Sequence, residues 1–277
     1  MLFRPQDDFD LTRIAESGQC FRWEPLEGGG YRIPFRESCL YIREAGGGGF
    51  ELDCSEEEFQ ALWREYFDLD TAYSGIRARV DRQQDPFLYR AAEKERGIRI
   101  LRQDPWEALV SFIISQNRNI PAIRRSIDLL CRNAGEARVD RQGRGFFTFP
   151  SPEGLLRLED AALDSCRLGY RAKYVRAAAL AVARGSLRLE ALAEAREEET
   201  CAALTGLYGV GIKVASCVSL FGLHHLNAFP VDVWIRRALE SEYPGGYPYD
   251  RYSPYNGVYQ QYIFAYCRGR GKERSYA

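Results

Sequence analysis

The stretch LYGVGIKVASCVSLFGLHHLNAFPVDVW, residues 207–234, predicts a tight glycine hairpin after a helix, then an apolar helix and a proline-led entry into another helix. The hairpin GVG, residues 209–211, exposes backbone N–H groups at a helix N-terminus, which can hold a phosphate without a charged side chain. Lys213 stands at the mouth of the middle helix and Asp232 at the start of the next. An amine and a carboxylate beside a bound phosphate backbone indicate chemistry on DNA.

Lys213 and Asp232 each have a purely structural alternative. A lysine in this position can extend from an apolar helix into solvent, and the aspartate can be an N-cap that stabilises its helix by about 1 kcal/mol. The positive end of a helix dipole disfavours an ammonium charge, however, which suits a nucleophilic amine. An ionised carboxylate can stabilise the positive charge that develops when a glycosidic bond breaks. One helix and its exit loop separate the two residues, which is enough chain to return both to one pocket.

The bulk properties are those of a soluble globular protein of 277 residues with a net charge of −1. We expect a cytoplasmic protein, associated with the nucleoid if prokaryotic, because we see no leader and no apolar run of membrane-spanning length.

The net charge argues mildly against a protein that coats nucleic acid nonspecifically, but it permits binding to a short stretch of nucleic acid. The basic RGRGKERSYA, residues 268–277, fits a solvated chain end or a phosphate contact.

The eight cysteines show no CxxC spacing and form no metal cluster with His224 and His225. Reduced, mostly buried thiols are therefore expected, and a structural zinc or iron–sulfur site is not.

The chain divides into two regions by pattern. Residues 1–95 contain the short aromatic and β-branched runs QCFRWEPL, GYRIPFR, CLYIREA and GFELDC, separated by glycine-rich turns, which predict an antiparallel meander. Residues 96–277 carry helical apolar spacing in short segments with tight connections. We expect an α+β fold, in which an N-terminal antiparallel β-sheet lobe precedes an all-α region with a helix-hairpin-helix at about 200–222.

Five motifs in this order resemble the helix-hairpin-helix DNA glycosylases, and among them the 8-oxoguanine DNA glycosylase family. The motifs are SGQCFRW at 17–23, SFIISQNRNI at 111–120, RLGYRAKYV at 167–175, the hairpin block at 207–234 and GVYQQYIF at 257–264. The resemblance implies a monomeric glycosylase/AP lyase that acts on 8-oxoguanine in double-stranded DNA. It further implies a sheet lobe like that of the TATA-box-binding protein, C-terminal helices that complete the base pocket, no required cofactor and, as a family possibility, a structural cation at the hairpin.

The resemblance also implies the catalytic roles. Lys213 resembles the amine that attacks the sugar C1′, expels the damaged base and forms a Schiff base, after which β-elimination nicks the strand 3′ to the lesion. Asp232 resembles the carboxylate that supports the developing charge. Such enzymes flip the base out of the duplex, because neither C1′ chemistry nor reading of the base is possible within the stack.

Four further residues resemble contacts to the extruded base. Gly18 resembles the glycine whose carbonyl accepts the N7–H of 8-oxoguanine, a group that guanine lacks. The wrong base would leave this buried acceptor unpaired, so one bond can discriminate strongly. Gln260 resembles the amide that bonds the Watson–Crick edge. Cys217 and Phe264 resemble the two residues between which the base is stacked.

The remaining implied contacts lie on the duplex. Asn117 and Tyr170 resemble residues that fill the vacated stack and wedge the helix, and Arg171 resembles a contact to the orphaned cytosine. The hairpin glycines Gly209 and Gly211 are expected at the DNA backbone. Considered without the family, each of these residues fits a polar surface loop or a helical core equally well.

Three positions depart from the family pattern. Ala122 stands where vertebrate-type enzymes carry a second arginine to the orphaned cytosine. Cys267 replaces an acidic residue that often helps to hold the base, which puts affinity for that base in doubt. Trp234 replaces a histidine that commonly follows the aspartate, which weakens the expectation of a phosphate contact there.

Other functions compete with this one. Glycosylases of the endonuclease III or adenine-mismatch type usually carry a four-cysteine iron–sulfur loop after the aspartate, whereas only Cys267 follows Asp232 here. Alkyl-base glycosylases generally lack the hairpin lysine. A noncatalytic DNA-binding module would need neither Lys213 nor Asp232, nor a separate N-terminal lobe.

Ala122 predicts a relaxed preference for the base opposite the lesion, because alanine cannot donate hydrogen bonds to a cytosine. Cleavage of four duplexes, each with a different base opposite 8-oxoguanine, measures this preference. A steep preference for cytosine would contradict the prediction.

Overall fold

The computed structural model describes residues 1–275, with side chains described through residue 269. Within that part of the chain the strands are β1 (Leu2–Phe3), β2 (Glu24–Pro25), β3 (Tyr31–Phe35), β4 (Ser38–Glu44), β5 (Phe50–Leu52), β6 (Ala137–Val139) and β7 (Gly145–Phe147). The helices are α1 (Leu11–Glu16), α2 (Glu56–Glu58), α3 (Arg64–Tyr66), α4 (Tyr73–Ala78), α5 (Pro86–Lys94), α6 (Pro105–Ser115), α7 (Ile120–Ala134), α8 (Pro152–Leu156), α9 (Asp160–Ser165), α10 (Arg171–Ala183), α11 (Leu189–Ala193), α12 (Glu197–Thr205), α13 (Ile212–Phe221), α14 (Val233–Glu242), α15 (Tyr249–Tyr252) and α16 (Asn256–Ser275). A π-helical turn, Phe59–Trp63, joins α2 to α3.

The N-terminal lobe is an antiparallel sheet of five strands in the order β1-β5-β4-β3-β2. Its inner face packs on the continuous helix α2–α3, where the rings of Phe35 and Tyr66 lie 4.5 Å apart. The indole of Trp23 donates a hydrogen bond to the Tyr66 hydroxyl at 2.7 Å, so the buried polar ends of both rings are satisfied. The meander predicted from the aromatic runs is present, and the short β1 completes it beside β5.

The regular elements after the lobe, as far as residue 275, are helices apart from one hairpin, β6–β7, that the helical pattern did not predict. A polar turn explains it, because the Asp140 carboxylate accepts backbone N–H bonds from Gln142 and Arg144. The same carboxylate pairs with Arg32 of β3 at 2.8 Å, and both side chains are fully buried. The hairpin is thereby fastened to the sheet lobe. The basic C-terminal stretch continues α16 as far as Ser275, and its side chains from residue 270 onward lie outside the described residues.

Buried polar bonds also join the segment that carries Gly18 to the helical region. The Gln19 amide donates to Arg99 O and accepts from Leu101 N, both at 2.8 Å. Gln103 Nε2 donates to Gln19 O at 2.8 Å and to Phe221 O, at the end of α13, at 3.3 Å. These bonds place the Gly18 turn beside the helix that begins with the hairpin.

Candidate active site

The hairpin between α12 and α13 has the conformation that its glycines permit. Val210 N donates to Leu207 O at 3.1 Å, and Gly209 has a φ of +82°. A Cβ at Gly209 would lie inside the van der Waals envelope of the Tyr174 ring, so only glycine fits here. Gly211 is the N-cap of α13 and makes no side-chain cap bond, which leaves the first turn of the helix available to an anion.

Lys213, Cys217 and Asp232 are neighbours. Lys213 and Cys217 are four residues apart and therefore share a face of α13, and Lys213 Nζ lies 5.9 Å from the centre of the Phe112 ring. Burial raises the pKa of the Cys217 thiol, the charge and hydrogen bond of Lys213 oppose this rise, and the negative charge of Asp232 adds to it. Cys217 is therefore a neutral, buried thiol that interacts electrostatically with both the Lys213 amine and the Asp232 carboxylate.

Asp232 is the N-cap of α14, as its structural alternative predicted. Its Oδ1 accepts a hydrogen bond from Ile235 N at 2.8 Å. The capping bond fixes the carboxylate in place without removing its charge. The structural and the catalytic interpretations of Asp232 are thus compatible.

A second group consists of Gly18, Phe264 and Arg268. Gly18 has a φ of +80°, and a Cβ there would lie 3.3 Å from the Phe264 ring. Arg268 donates to Glu16 O at 2.9 Å, and its guanidinium lies 5.9 Å from the centre of that ring. The structure therefore brings together the two residues expected on the base, Gly18 and Phe264, although 246 positions separate them (264 − 18).

Gln260 lies one helical turn before Phe264 on α16 and is 3% exposed. Its Nε2 donates to Pro230 O at 2.8 Å, two residues before Asp232. The start of α16 is fixed on the same loop by a 2.7 Å bond from Gly257 N to Leu226 O. The loop that carries the carboxylate is therefore held by the helix that carries the expected base contacts.

Asn117 and Tyr170 form a separate exposed pair. Asn117 has a φ of +50°, uncommon for a residue with a side chain, and its Nδ2 donates to the Tyr170 hydroxyl at 3.2 Å. Arg171, in contrast, is 6% exposed. Its guanidinium donates to Gln116 O, with Nε at 2.8 Å, and to Leu168 O at 3.2 Å. In this structure Arg171 holds the loop of Asn117, and a contact to a base would require these bonds to rearrange.

Two residues that the sequence did not single out connect these groups. Gln116 Nε2 donates to Gly209 O at 3.1 Å and so ties the Asn117 loop to the hairpin. Tyr174 supports Gly209 from α10 and makes an edge-to-face contact with the exposed ring of Tyr208, with centroids 5.1 Å apart. Both roles arise from contacts between distant segments, and neither residue stands out in the local pattern.

The three positions that depart from the family pattern have ordinary environments. Ala122 N donates to Asn119 Oδ1 at 2.9 Å in the first turn of α7, and the Trp234 ring lies 5.7 Å from the Arg237 guanidinium. Cys267 is half-buried.

No group of three or more His, Cys, Asp or Glu side chains among the described residues could hold a metal ion. No helix there is long and apolar enough to cross a bilayer.

Comparison with known proteins identifies the class to which this arrangement belongs. A family model described as the N-terminal domain of 8-oxoguanine DNA glycosylase matches residues 1–109, and one described as HhH-GPD superfamily base excision DNA repair protein matches residues 110–243. A solved structure of MBOgg1 in complex with a low-affinity DNA ligand is 37% identical, with a TM-score of 0.90, and the match covers 98% of this chain and 96% of that one.

Two further relatives match over nearly their whole length. The Clostridium acetobutylicum 8-oxoguanine glycosylase/lyase, solved with double-stranded DNA containing cytosine opposite 8-oxoguanine, is 33% identical over 98% of each chain, with a TM-score of 0.88. A probable N-glycosylase/DNA lyase of Methanothermobacter thermautotrophicus is 29% identical over 96% of each chain.

The chain therefore belongs to the HhH-GPD superfamily of base excision DNA repair proteins. Within that superfamily it belongs to the 8-oxoguanine DNA glycosylase family, whose members are N-glycosylases and DNA lyases. The α+β fold predicted from the patterns of the two regions and the family indicated by the five motifs are both confirmed. The individual residue roles remain predictions.

The contact of Gly209 with Tyr174 predicts that Gly209→Ala destabilises the protein. The substitution combines a positive φ, which costs a residue with a side chain about 1–3 kcal/mol, with overlap on the Tyr174 ring, which itself packs between the rings of Tyr170 and Tyr208. Thermal unfolding measures the effect.

Gly211→Ala is the matched control in the same hairpin, because a Cβ there meets no atom within 4 Å. Its melting temperature should fall much less than that of Gly209→Ala. Equal losses in the two variants would show that Tyr174 does not restrict position 209.

Proposed function

We propose that this chain removes 8-oxoguanine from duplex DNA and then cleaves the strand, with Lys213 as nucleophile and Asp232 as the supporting carboxylate. The observation that carries the proposal is that Lys213 and Asp232 both interact electrostatically with the buried Cys217. Lys213 lies in the first turn of α13, directly after the glycine hairpin, and Asp232 caps α14. A module that only bound phosphate would have no use for this amine and carboxylate.

The chemistry follows from the two groups. The unprotonated Lys213 amine attacks C1′, and the electron pair of the C1′–N9 bond leaves with the base, which takes up a proton. Loss of a proton from the amine and opening of the C1′–O4′ bond give the Schiff base. Removal of a C2′ proton then expels the 3′ phosphate, and hydrolysis of the imine frees Lys213. Asp232 stabilises the positive charge on the sugar as the glycosidic bond breaks.

Base recognition is assigned to Gly18, Phe264, Cys217 and Gln260. The Gly18 carbonyl is proposed to accept N7–H of 8-oxoguanine, and the Phe264 ring that lies against Gly18 to stack on the base. The neutral Cys217 thiol is proposed as the opposite side of the sandwich, and Gln260 as the contact to the Watson–Crick edge. Cys217 and Gln260 are buried, and Gly18 and Phe264 are partly exposed. A bound base would exclude water from the Gly18 carbonyl, so a base that lacks the N7 donor would leave this acceptor unpaired.

Duplex contacts are assigned to the Asn117–Tyr170 pair, the hairpin glycines and Arg171. Asn117 and Tyr170 are proposed to occupy the gap left by the flipped nucleotide, which fits their mutual hydrogen bond and their exposure. Gly209 and Gly211 are proposed to bring backbone N–H groups to a phosphate. Arg171 is proposed to reach the orphaned cytosine after release from Gln116 O.

The substrate is proposed to be 8-oxoguanine-containing double-stranded DNA, bound by a monomer, and DNA-bound relatives of this fold support a duplex partner. A cytoplasmic or nucleoid location and a cation at the hairpin carbonyls remain predictions. The reaction as written needs no cofactor.

Lys213→Gln is expected to abolish the covalent adduct that borohydride traps between the protein and an 8-oxoguanine duplex, because glutamine cannot form an imine. Denaturing gel electrophoresis of the trapped mixture measures the adduct. Absence of an adduct with the unaltered protein, or an adduct with Lys213→Gln, would remove Lys213 from its role.

Lys173→Gln is the matched control for this experiment. Lys173 lies beside the hairpin, 5.4 Å from the Tyr208 ring, and its hydrogen bond to Tyr208 raises the pKa of its ammonium group. This lysine therefore stays protonated, and its loss should leave trapping intact.

Asp232→Asn is expected to slow base excision by about 100-fold, the effect typical of removing one electrostatic contact to a transition state. Asparagine caps helices as well as aspartate, so the fold and DNA binding should be retained. Single-turnover excision rates and DNA affinity measure the two effects separately.

Asp104→Asn is the corresponding control, because Asp104 caps α6 through the same kind of bond, from Glu107 N at 2.9 Å. Unchanged excision by Asp232→Asn, or an equal loss in Asp104→Asn, would exclude the assigned role of Asp232.

A further inference from the structure

Two adjacent glutamines of α16, Gln260 and Gln261, are both buried, each 3% exposed. Gln261 Nε2 donates a hydrogen bond to Gln260 Oε1 at 2.9 Å, and Gln260 Nε2 donates to Pro230 O at 2.8 Å. The two amides therefore form a chain that ends on a backbone carbonyl. Consecutive residues of a helix point in different directions, so Gln261 reaches Gln260 from the side.

The directions of these bonds follow from the carbonyl at the end of the chain. Pro230 O can only accept, so the nitrogen of the Gln260 amide must face it and the oxygen must face the other way. The group that meets this oxygen must be a donor, which fixes the nitrogen of Gln261 toward Gln260. The orientation of both amides is thus set by one unambiguous acceptor, although nitrogen and oxygen are otherwise hard to distinguish.

This arrangement leaves the Gln260 amide able to accept one further hydrogen bond and to donate one. Its oxygen keeps one lone pair and its nitrogen keeps one N–H, in fixed positions. The Watson–Crick edge of an oxidised guanine offers donors at N1 and at the exocyclic amine, and an acceptor at O6. An amide that cannot rotate presents its acceptor and donor in one order only, and so selects between bases that differ in these groups.

The orientation that lets Gln261 donate to Gln260 leaves the other end of the Gln261 amide, its oxygen, buried. Gln261 Oε1 has no hydrogen-bond partner within the described part of the chain and is inaccessible to solvent. An apolar side chain at this position would remove the unsatisfied oxygen of Gln261, but it would also leave the buried Gln260 Oε1 without its donor. One buried amide oxygen lacks a partner in either case, so stability alone does not favour a glutamine at this position.

We propose that Gln261 is a positioning residue that fixes the Gln260 amide and thereby sharpens recognition of the exocyclic amine of the lesion base. The inference rests on the proposed contact of Gln260 with the Watson–Crick edge. Without Gln261, the bond to Pro230 holds only one end of the amide, and the oxygen can swing away from the base.

The test compares excision of 8-oxoguanine with excision of 8-oxohypoxanthine, which lacks the exocyclic amine, in otherwise identical duplexes. The ratio of the two single-turnover rates measures recognition of that amine. Gln261→Leu is expected to lower the ratio by about 3- to 10-fold, the range of one neutral hydrogen bond. Its melting temperature should stay close to that of the unaltered protein, because the unsatisfied oxygen of Gln261 is removed while Gln260 Oε1 loses its donor.

Tyr262→Phe is the matched control, because it removes the next side-chain polar group on the same helix. The Tyr262 hydroxyl is buried and has no partner among the described residues. The rate ratio of Tyr262→Phe should equal that of the unaltered protein. An equal fall in both variants would mean that Gln261 acts by packing alone, which overturns the inference.

Gln260→Leu separates this inference from the proposed function. If Gln260→Leu leaves the rate ratio unchanged, the proposed contact of Gln260 is wrong, and the inference falls with it. If Gln260→Leu lowers the ratio and Gln261→Leu does not, only the inference is wrong. The expected result is that both lower it and that Gln261→Leu has no further effect once Gln260 is leucine, since Gln261 acts through Gln260.

Discussion

The contact between the Gly209 backbone and the Tyr174 ring is the constraint on which the site depends. A side chain at residue 209 would overlap the ring, so the hairpin backbone lies directly against α10. Lys213 follows four residues later, at the first turn of α13. The position of the amine is therefore set by a close approach that only glycine allows, and Gln116 fixes the other side of the hairpin through Gly209 O.

The segments that build the site are joined by one kind of hydrogen bond, from a side-chain donor to a backbone carbonyl of a distant segment. Arg171 donates to Gln116 O, Gln103 to Phe221 O and Gln260 to Pro230 O. Carbonyls at helix ends and in loops lack helical partners, so they are available for such bonds. Because a buried polar group without a partner is costly, each bond favours one arrangement of segments over its alternatives.

The burial of several arginines bears on how a chain with a net charge of −1 can bind DNA, which is a polyanion. Arg32 and Arg99 are each 1% exposed, and Arg171 is 6% exposed. Arg99 donates to the carbonyls of Asp8, Asp68 and Thr71, so its charge holds the junction between the sheet lobe and the helices. Much positive charge is thus used inside the protein. The proposed phosphate contact at the hairpin would use backbone N–H groups and the helix dipole, which do not enter the formal charge.

The sequence by itself determined the sheet lobe followed by a mainly helical region, the glycine hairpin with its lysine and aspartate, and the family, because these depend on local periodicity and on motifs with fixed spacing. It did not reveal β6–β7, whose short strands are set by the turn at Asp140 and by the buried pair with Arg32. Nor did it reveal Gln116 and Gln261, because their bonds depend on side-chain direction within the folded core. Only the tertiary structure placed Gly18 on Phe264, since that approach joins opposite ends of the chain.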